Sequence, residues 1–216
     1  MTAKLILWGA TTSRTMRAHW ALAELGLSYE GRPIEPRSGE TKTDEFTALT
    51  ARQKIPLLQD GDLILTESAA IIAYLSDQYG NNENRLVPLE PRERAICLEW
   101  NFFVISELDA ASLYVIRRHE GLKHIYGHAP VANEAAAQYF VAQMRSVDRA
   151  LGDGRPFIAG PRFGAADILL STCLSWAVLY GVPVSDAANE YNVRLKTRPA
   201  YARAVELNRA PTDRIP

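Results

Sequence analysis

Cysteine is scarce in this sequence, and neither sign of charge is in excess. Only two cysteines occur among 216 residues, Cys97 and Cys173, and they form no C-x-x-C pair. Such sparse cysteines are typical of proteins in a reducing compartment and argue against a dithiol redox enzyme. Because both lie within apolar helical patterns, we interpret them as small buried hydrophobic residues.

The charge balance and the lack of long apolar runs argue against two further classes of partner. The 24 basic and 25 acidic side chains give a formal net charge of −1, which offers no general reason to expect nucleic acid or a membrane surface as a partner. The apolar run that ends at Gly9 is too short for the core of a signal peptide or for a membrane span. We therefore expect a cytoplasmic protein that binds neither nucleic acid nor membranes.

A polar, turn-prone stretch with two prolines divides the chain, and we interpret residues 81–91 as a linker. Before it, residues 1–80 follow the order strand, helix, strand, short helix, strand, strand, helix, which is the order of a thioredoxin-like fold. After it, residues 92–216 read as helices, including one long periodic segment from 92 to about 122. The sequence therefore predicts an α/β N-terminal domain and an all-α C-terminal helical bundle.

The stretch from Gln53 to Leu75 combines a hairpin with a helix start. Asp60-Gly61-Asp62 lies between two apolar runs, which predicts a tight turn because glycine accepts positive φ. Pro56 lies within the first run, where it can donate no ladder hydrogen bond, so we expect an edge strand or a special bend. Thr66-Glu67-Ser68 precedes apolar residues at helical spacing, and the free N–H groups of a helix start suit a carboxylate. An edge backbone at Ile55 beside this helix start would suit a small peptide.

A second polar segment follows the first predicted strand. The apolar run Leu5–Trp8 is closed by Gly9, and residues 11–15 are all threonine, serine or arginine. Apolar residues at helical spacing then continue as far as Gly26, so the polar segment is predicted to be a loop and a helix cap.

These segments resemble the cytosolic glutathione S-transferases, in particular theta-like bacterial members. Lys54-Ile55-Pro56, followed by DGDLILTES and an apolar helix ending in Tyr74-Leu75, is similar to the glutathione-binding segment of that family. Phe163–Asp167 resembles a helix-start motif of the family's bundle, in which Ser or Thr usually caps and Asp completes a capping box; here Gly164 takes the cap position, which loses the side-chain bond but is a tolerated N-cap. Thr197–Tyr201 resembles the entry to the final helix of bacterial members. The resemblance covers nearly the whole chain and implies the glutathione transferase fold.

The resemblance also implies which residues bind glutathione. In the family the proline, here Pro56, is cis, and its predecessor, here Ile55, pairs main chain to main chain with the glutathione cysteine. Glu67 and Ser68 match the residues that hold the γ-glutamyl end. Lys54 matches a polar contact to the glycyl half.

Two positions near this segment depart from the family pattern. Lys42 matches a basic residue that approaches the glycine carboxylate, but Thr41 replaces the neighbouring histidine of theta-like enzymes. Where many members have Asn-Pro-x-Gly, this chain has Thr50-Ala51-Arg52-Gln53. The shape of that loop is therefore left open, and with it the affinity for glutathione.

The catalytic hydroxyl is expected in the loop after the first strand. Aligning Arg17 with the arginine that follows the active loop of theta-like members places Ser13 at their catalytic serine, whereas a phi-like alignment places Thr12 there. Thr11 and Thr15 are near enough to stay as alternatives. We favour Ser13, against the simpler interpretation that it only caps the helix. No tyrosine or cysteine occurs in the loop, which disfavours family members that use those residues.

The resemblance implies a homodimeric detoxification enzyme that conjugates glutathione, its co-substrate, to small hydrophobic electrophiles. The same fold and site also serve glutathione-dependent isomerases, ether-bond cleaving enzymes and dehalogenases. An alternative of another class is a non-catalytic binding or assembly module. A metal site is not expected, because His119, Glu120 and His124 form H-E-x-x-x-H, one residue too long for both imidazoles to share a helix face.

Overall fold

The computed structural model describes residues 5–209. Within this range the chain divides into two compact units, one formed by residues 5–87 together with 197–209, and one formed by Pro88–Lys196. Among the described residues, no helix combines the length and the hydrophobicity that a membrane span requires.

The first unit is built on a four-stranded mixed sheet. Its elements are β1 (Leu5–Trp8), α1 (Ser13–Glu24), β2 (Glu30–Arg32), a 3₁₀ turn (Glu40–Lys42), α2 (Asp44–Leu49), β3 (Leu57–Asp60), β4 (Leu63–Thr66) and α3 (Ser68–Tyr79). The strand order is β2-β1-β3-β4, with β1 parallel to β2 and antiparallel to β3. This order of elements confirms the predicted thioredoxin-like α/β domain.

The hairpin forms where it was expected, and the structure decides between the two alternatives for its proline. Gly61 has φ +61° and joins β3 to β4, as the Asp-Gly signal predicts. The strand β3 is internal, between β1 and β4, which excludes the edge position and leaves the other alternative, a bend. Pro56 is tolerated because it lies just before the strand, in a cis Ile55–Pro56 peptide, and the ladder begins only at Leu57.

The pairing register gathers several loops at one end of the sheet. Trp8, the last residue of β1, lies opposite both Leu57, the first residue of β3, and Arg32, the last residue of β2. Leu57 in turn lies opposite Thr66, the last residue of β4. The loops after β1, β2 and β4 and the segment before β3 therefore leave the sheet at the same end.

The core beneath these loops is apolar and closely packed. Leu57 is fully buried against Trp8 and Phe46, whose rings lie 5.7 Å apart between centroids. Fully burying one such side chain contributes about 2 kcal/mol. The loops are thus attached to a rigid base.

A last helix, α10 (Pro199–Leu207), packs against α1 and so belongs to the first unit. The predicted helical domain, residues 92–216, includes α10, so the compact units divide the chain differently here, and the predicted domain bounds stay a prediction. The guanidinium of Arg198 donates to both carboxylate oxygens of Glu24, at 2.6 and 2.7 Å. The ring of Tyr201 meets the fully buried Trp20 edge to face at 4.9 Å between centroids. These contacts tie α10 to α1 by burial and by a two-pronged ion pair.

The second unit is helical, as predicted. It contains α4 (Pro91–Phe103), a π-helical segment (Val104–Leu113), α5 (Tyr114–Ile116), a second π-helical segment (Arg117–Gly121), α6 (Lys123–Tyr126), α7 (Pro130–Leu151), α8 (Ala165–Leu179) and α9 (Asp186–Lys196). The long helix expected from 92 to about 122 is thus interrupted twice by wider turns. In the first of them the Ser112 hydroxyl donates to the carbonyl of Glu107 at 2.6 Å, five residues earlier.

The start of α8 has Gly164 at the N-cap and Asp167 three residues later, as predicted. Asp167 Oδ2 accepts the Gly164 N–H at 2.7 Å, and Oδ1 accepts the Ile158 N–H at 2.9 Å and the Tyr191 hydroxyl. Burial raises the pKa of Asp167 to about 6, while these three donors act in the opposite direction. Asp167 is fully buried, so its role is to join three segments of the second unit.

Candidate active site

The loop after β1 lies in direct contact with the segment that precedes β3. Gly9 has φ +115°, and a Cβ added to it would lie 2.7 Å from Ile55 Cβ and 2.8 Å from Thr15 Cγ2. Real Cβ atoms do not approach that closely, so only glycine fits here. The two halves of the candidate site, on the loop and before the hairpin, therefore meet at Gly9.

The cap of α1 is Thr12. The Thr15 N–H donates to Thr12 Oγ1 and the Thr12 N–H donates to Thr15 Oγ1, each at 3.0 Å. Ser13 follows as the first residue of the helix, so the interpretation that Ser13 only caps the helix is wrong. Its side chain is half-buried and makes no hydrogen bond to any group within residues 5–209. Its hydroxyl therefore lies at the N-terminus of α1 without a hydrogen-bond partner inside that range.

The other two hydroxyls of the loop differ from Ser13 in exposure. Thr15 is fully buried, and its hydroxyl contacts Asn208 Oδ1 at 2.6 Å. Thr11 is exposed, adopts φ +67° and donates its N–H to the carbonyl of Asn208 at 2.9 Å. Asn208 lies far along the chain, and no pattern in the sequence predicts its contacts with this loop.

A buried histidine contacts the backbone of the loop after β1. His19 Nε2 lies 3.1 Å from the carbonyl of Gly9, and Nδ1 lies 2.6 Å from the Tyr29 hydroxyl. Burial lowers the pKa of His19 to about 4, so the ring is neutral near pH 7. Because a carbonyl only accepts, Nε2 carries the proton, and Tyr29 donates to Nδ1. The sequence analysis missed both residues, which show no local motif.

The glutathione-binding residues implied by the resemblance lie around the same end of the sheet. Ile55 is half-buried and its backbone lies outside the ladder, and Pro56 is buried, whereas Lys54 is exposed. Ser68 is the first residue of α3 and is 5% exposed. Its hydroxyl therefore lies beside the free N–H groups of the helix N-terminus. Glu67 is the exposed N-cap, with φ +70°.

An arginine that was not predicted as a site residue lies beside Glu67. Arg52 Nη1 donates to Thr66 Oγ1 at 3.2 Å and to Glu67 Oε1 at 3.3 Å. Both charged side chains are largely exposed, so solvent screens the pair. Arg52 thus places a guanidinium beside the Glu67 carboxylate at this edge of the site.

The loop that departs from the family pattern contains a residue in the left-handed region. Gln53 adopts φ +51° at the position where many members have glycine. Its N–H donates to the carbonyl of Thr50 at 3.2 Å, and its side-chain amide donates to Thr47 Oγ1 at 3.1 Å. These bonds hold a conformation that glycine adopts without strain.

Lys42 is the member of the predicted set with the weakest structural support. It ends the 3₁₀ turn in the connection after β2, and its side chain is exposed, with no hydrogen bond or ion pair inside the described range 5–209. Thr41, which replaces the family's histidine, is buried. Within the described residues, the side chain of Lys42 is thus joined to the other segments of the site by neither a hydrogen bond nor an ion pair.

Two family models match this chain. The model described as glutathione S-transferase, N-terminal domain, matches residues 3–77, and that of the C-terminal domain matches residues 130–205.

Relatives and solved structures point the same way. Glutathione S-transferase 2 of Anopheles gambiae is 33% identical over 161 residues, which span 73% of this chain and 70% of that protein. Glutathione S-transferase theta-2 of Homo sapiens is 32% identical over 165 residues, 73% of this chain and 65% of that protein. A theta class glutathione S-transferase from Xanthomonas axonopodis pv. citri, solved with glutathione bound, superposes with a TM-score of 0.78 at 28% identity and covers 95% of this chain and 98% of its own. The chain belongs to the glutathione S-transferase family.

Proposed function

We propose that this glutathione transferase activates the thiol of glutathione with the hydroxyl of Ser13 and transfers the sulfur to a small hydrophobic electrophile. The observation that carries the proposal is the difference between the hydroxyls at the start of α1. Thr12 is engaged in the cap and Thr15 is buried, whereas Ser13 has no hydrogen-bond partner within residues 5–209. Ser13 also lies in the loop that contacts Ile55 through Gly9.

The chemistry required of Ser13 is modest. A thiol has a reference pKa of about 8.5, and lowering it by about two units requires roughly 2.7 kcal/mol of preferential stabilisation of the thiolate. A hydroxyl that donates to the sulfur and the positive end of α1 both act in that direction. The thiol proton goes to solvent, the thiolate attacks the electrophilic carbon to form the C–S bond, and the leaving group departs with the bonding pair.

The remaining residues would hold the tripeptide. The Ile55 backbone would pair with the cysteinyl residue, and Ser68 with the N-terminus of α3 would bind the γ-glutamyl carboxylate. Glu67 would face the γ-glutamyl ammonium group. Lys54 and Lys42 would lie toward the glycine carboxylate. Each carboxylate of glutathione would then face a favourable charge. The γ-glutamyl carboxylate would face the N-terminus of α3, and the glycine carboxylate would face the two lysines.

The experiment is the Ser13→Ala variant, compared with Thr12→Val. We expect Ser13→Ala to lower kcat/KM for a chromogenic electrophile by about 10²-fold, because one donor to a developing anion contributes on that order. Retention on glutathione resin is expected to persist, since Ile55 and Ser68 are unchanged. Undiminished activity of Ser13→Ala would contradict the proposal, and loss confined to Thr12→Val would assign the role to Thr12.

The electrophile and the physiological role belong to the same proposal. Conjugation in the cytoplasm, as in detoxification, is the expected activity, and a panel of alkyl halides, ethers and isomerisable substrates separates it from dehalogenation, ether cleavage and isomerisation. Binding of glutathione without turnover of any of them would favour a storage or assembly module.

We also propose a homodimer, with α4 at the partner face. Exposed apolar side chains in α4 and just before it support this, namely Leu89, Ile96 and Phe102, of which Phe102 is 70% exposed. Exposed apolar side chains that form one patch are typical of a contact face. Analytical ultracentrifugation is expected to show a dimer at micromolar concentration, and a Phe102→Glu variant is expected to dissociate it. A monomeric wild-type protein would contradict this part.

A further inference from the structure

The residue that ends the last helix contacts the loop that carries Ser13. Asn208 is the C-cap of α10. Its carbonyl accepts the Thr11 N–H at 2.9 Å, its Nδ2 lies 3.2 Å from the carbonyl of Thr12, and its Oδ1 lies 2.6 Å from Thr15 Oγ1. One asparagine thus contacts three residues of the loop, across a sequence separation of 193 residues to Thr15.

The hydrogen bonds fix which way the amide points. The carbonyl of Thr12 can only accept, so the NH₂ group of Asn208 faces it and the amide oxygen faces Thr15. The Thr15 hydroxyl can then donate to that oxygen while it accepts the Thr12 N–H. The side chain of Asn208 is therefore committed to the loop, while its own backbone N–H caps α10 by donating to the carbonyl of Ala204 at 2.9 Å.

Asn208 is itself held on a rigid support. The helix α10 is fixed to α1 by the Arg198 pair with Glu24, whose side chain is 9% exposed, and by the contact of Tyr201 with Trp20. In the loop after β1, Thr11 adopts the left-handed conformation. A β-branched residue rarely adopts this conformation unless its surroundings impose it. The bond from the Thr11 N–H to Asn208 is one such constraint.

We propose that Asn208 is a positioning residue for thiol activation, because it fixes the backbone of the two residues that precede Ser13 and so sets the direction of the Ser13 hydroxyl. This inference rests on the proposed role of Ser13. Asn208 acts through the loop and does not itself touch the sulfur. A displacement of the hydroxyl by about 1 Å is enough to cost on the order of 10²-fold in rate.

The first test is Asn208→Ala, with Glu206→Ala as the matched control, since Glu206 is an exposed residue of the same helix. Ultraviolet titration of the thiolate in the glutathione complex is expected to give a pKa about one unit higher for Asn208→Ala, the shift that corresponds to a tenfold weaker preference for the thiolate. We expect kcat to fall about ten- to one-hundredfold, with the KM for glutathione nearly unchanged. Glu206→Ala is expected to match the wild type. A folded Asn208→Ala with the wild-type thiol pKa and kcat would overturn the proposal.

A second variant guards against a folding defect. Asn208→Asp has the same shape and keeps an acceptor for Thr15, but it replaces the donor to Thr12 with a carboxylate oxygen. We expect it to raise the thiol pKa and lower kcat at least as much as alanine does. Wild-type values in this variant would overturn the role of the Asn208–Thr12 bond.

The double variant Ser13→Ala/Asn208→Ala separates this inference from the proposed function. If Asn208 acts through Ser13, the double variant is expected to be no slower than Ser13→Ala alone. Additive losses would mean that Asn208 acts by another route and would overturn the inference, while leaving Ser13 in place. Full activity of Ser13→Ala would instead overturn the proposed function.

Discussion

The starts of α1 and α8 hold their N-caps in the same way but differ in the polar groups that stay without a partner. In both helices the third residue accepts a hydrogen bond from the backbone N–H of the N-cap, Thr15 from Thr12 in α1 and Asp167 from Gly164 in α8. In α8 this acid is fully buried and accepts three hydrogen bonds. In α1 the residue after the cap, Ser13, keeps a hydroxyl with no partner within residues 5–209.

Under the proposed role of Ser13, this difference distinguishes a helix start that serves stability from one that serves catalysis. A start that serves stability engages its polar groups within the protein, because an unmade buried hydrogen bond costs about 1–3 kcal/mol. A start that serves chemistry keeps one donor for the ligand and uses its neighbours to hold that donor in place. Substitutions at the start of α8 should therefore lower the free energy of unfolding, whereas substitutions of Ser13 should lower the catalytic rate.

The largest effect on stability is expected from Asp167→Ala. The change leaves the N–H groups of Ile158 and Gly164 and the hydroxyl of Tyr191 without their acceptor, in a fully buried position. The free energy of unfolding should fall by about 3–5 kcal/mol, measured by urea denaturation. Glu190→Ala, at an exposed position of α9, serves as the control and should change it by less than about 0.5 kcal/mol. A loss below about 1 kcal/mol for Asp167→Ala would remove the contrast between the two helix starts.

The free energy of unfolding should depend on pH through His19, whose ring contacts the carbonyl of Gly9. Its folded-state pKa of about 4 lies below the ordinary value of 6.5, because burial disfavours the charged ring. The unfolded chain therefore binds the extra proton between these values, so the stability from neutral His19 is present above about pH 6.5 and is lost as the pH falls toward 4.

This loss is expected to reach about 3 kcal/mol for the wild type and to be absent in His19→Phe. The measurement is the free energy of unfolding of both proteins at several values between pH 4 and 7. Parallel curves for the two proteins would contradict the assignment.

The Thr12→Val variant tests whether Thr12 caps α1 while Ser13 has the proposed catalytic role. Loss of the cap hydroxyl should lower the free energy of unfolding by about 1 kcal/mol. The expected fall in kcat/KM is smaller than that caused by Ser13→Ala, because the donor to the sulfur is still present. Thermal unfolding and steady-state kinetics on both variants provide the check. A larger rate loss for Thr12→Val than for Ser13→Ala would reverse the assignment.

The smallest effect is expected at the exposed pair beside the other helix start of the site. Arg52→Ala removes a contact to Glu67 between side chains that are 63% and 71% exposed. The free energy of unfolding should change by no more than about 0.5 kcal/mol, because solvent and salt screen such pairs. A loss above about 1 kcal/mol, insensitive to salt, would show that Arg52 is part of the fixed architecture.

The parts of the fold that sequence reasoning recovered are those determined locally. The Asp-Gly turn and the bond from the Gly164 N–H to Asp167 depend on residues within a few positions of one another, so their signals are visible in the chain. For Pro56 the sequence left an edge strand and a bend open, because a proline that lies just before a strand leaves the same signal as one inside an edge strand.

The parts that were missed depend on distant contacts or on small energy differences. Nothing local links Asn208 to Thr15 or His19 to Gly9, and the assignment of α10 to the first unit follows from its packing against Trp20. The left-handed conformation of Gln53 has no signal in its residue type, since a side-chain bond to Thr47 and the surrounding loop determine it. The implied site residues lie at one end of the sheet as the topology requires, but their roles stay predictions.

The most direct test of the account is a crystal structure of the protein with glutathione bound. The account predicts that the sulfur lies within hydrogen-bonding distance of Ser13 Oγ and closer to it than to Oγ1 of Thr11 or Thr12. A sulfur held by Thr12 or Thr11, with Ser13 turned away, would contradict it.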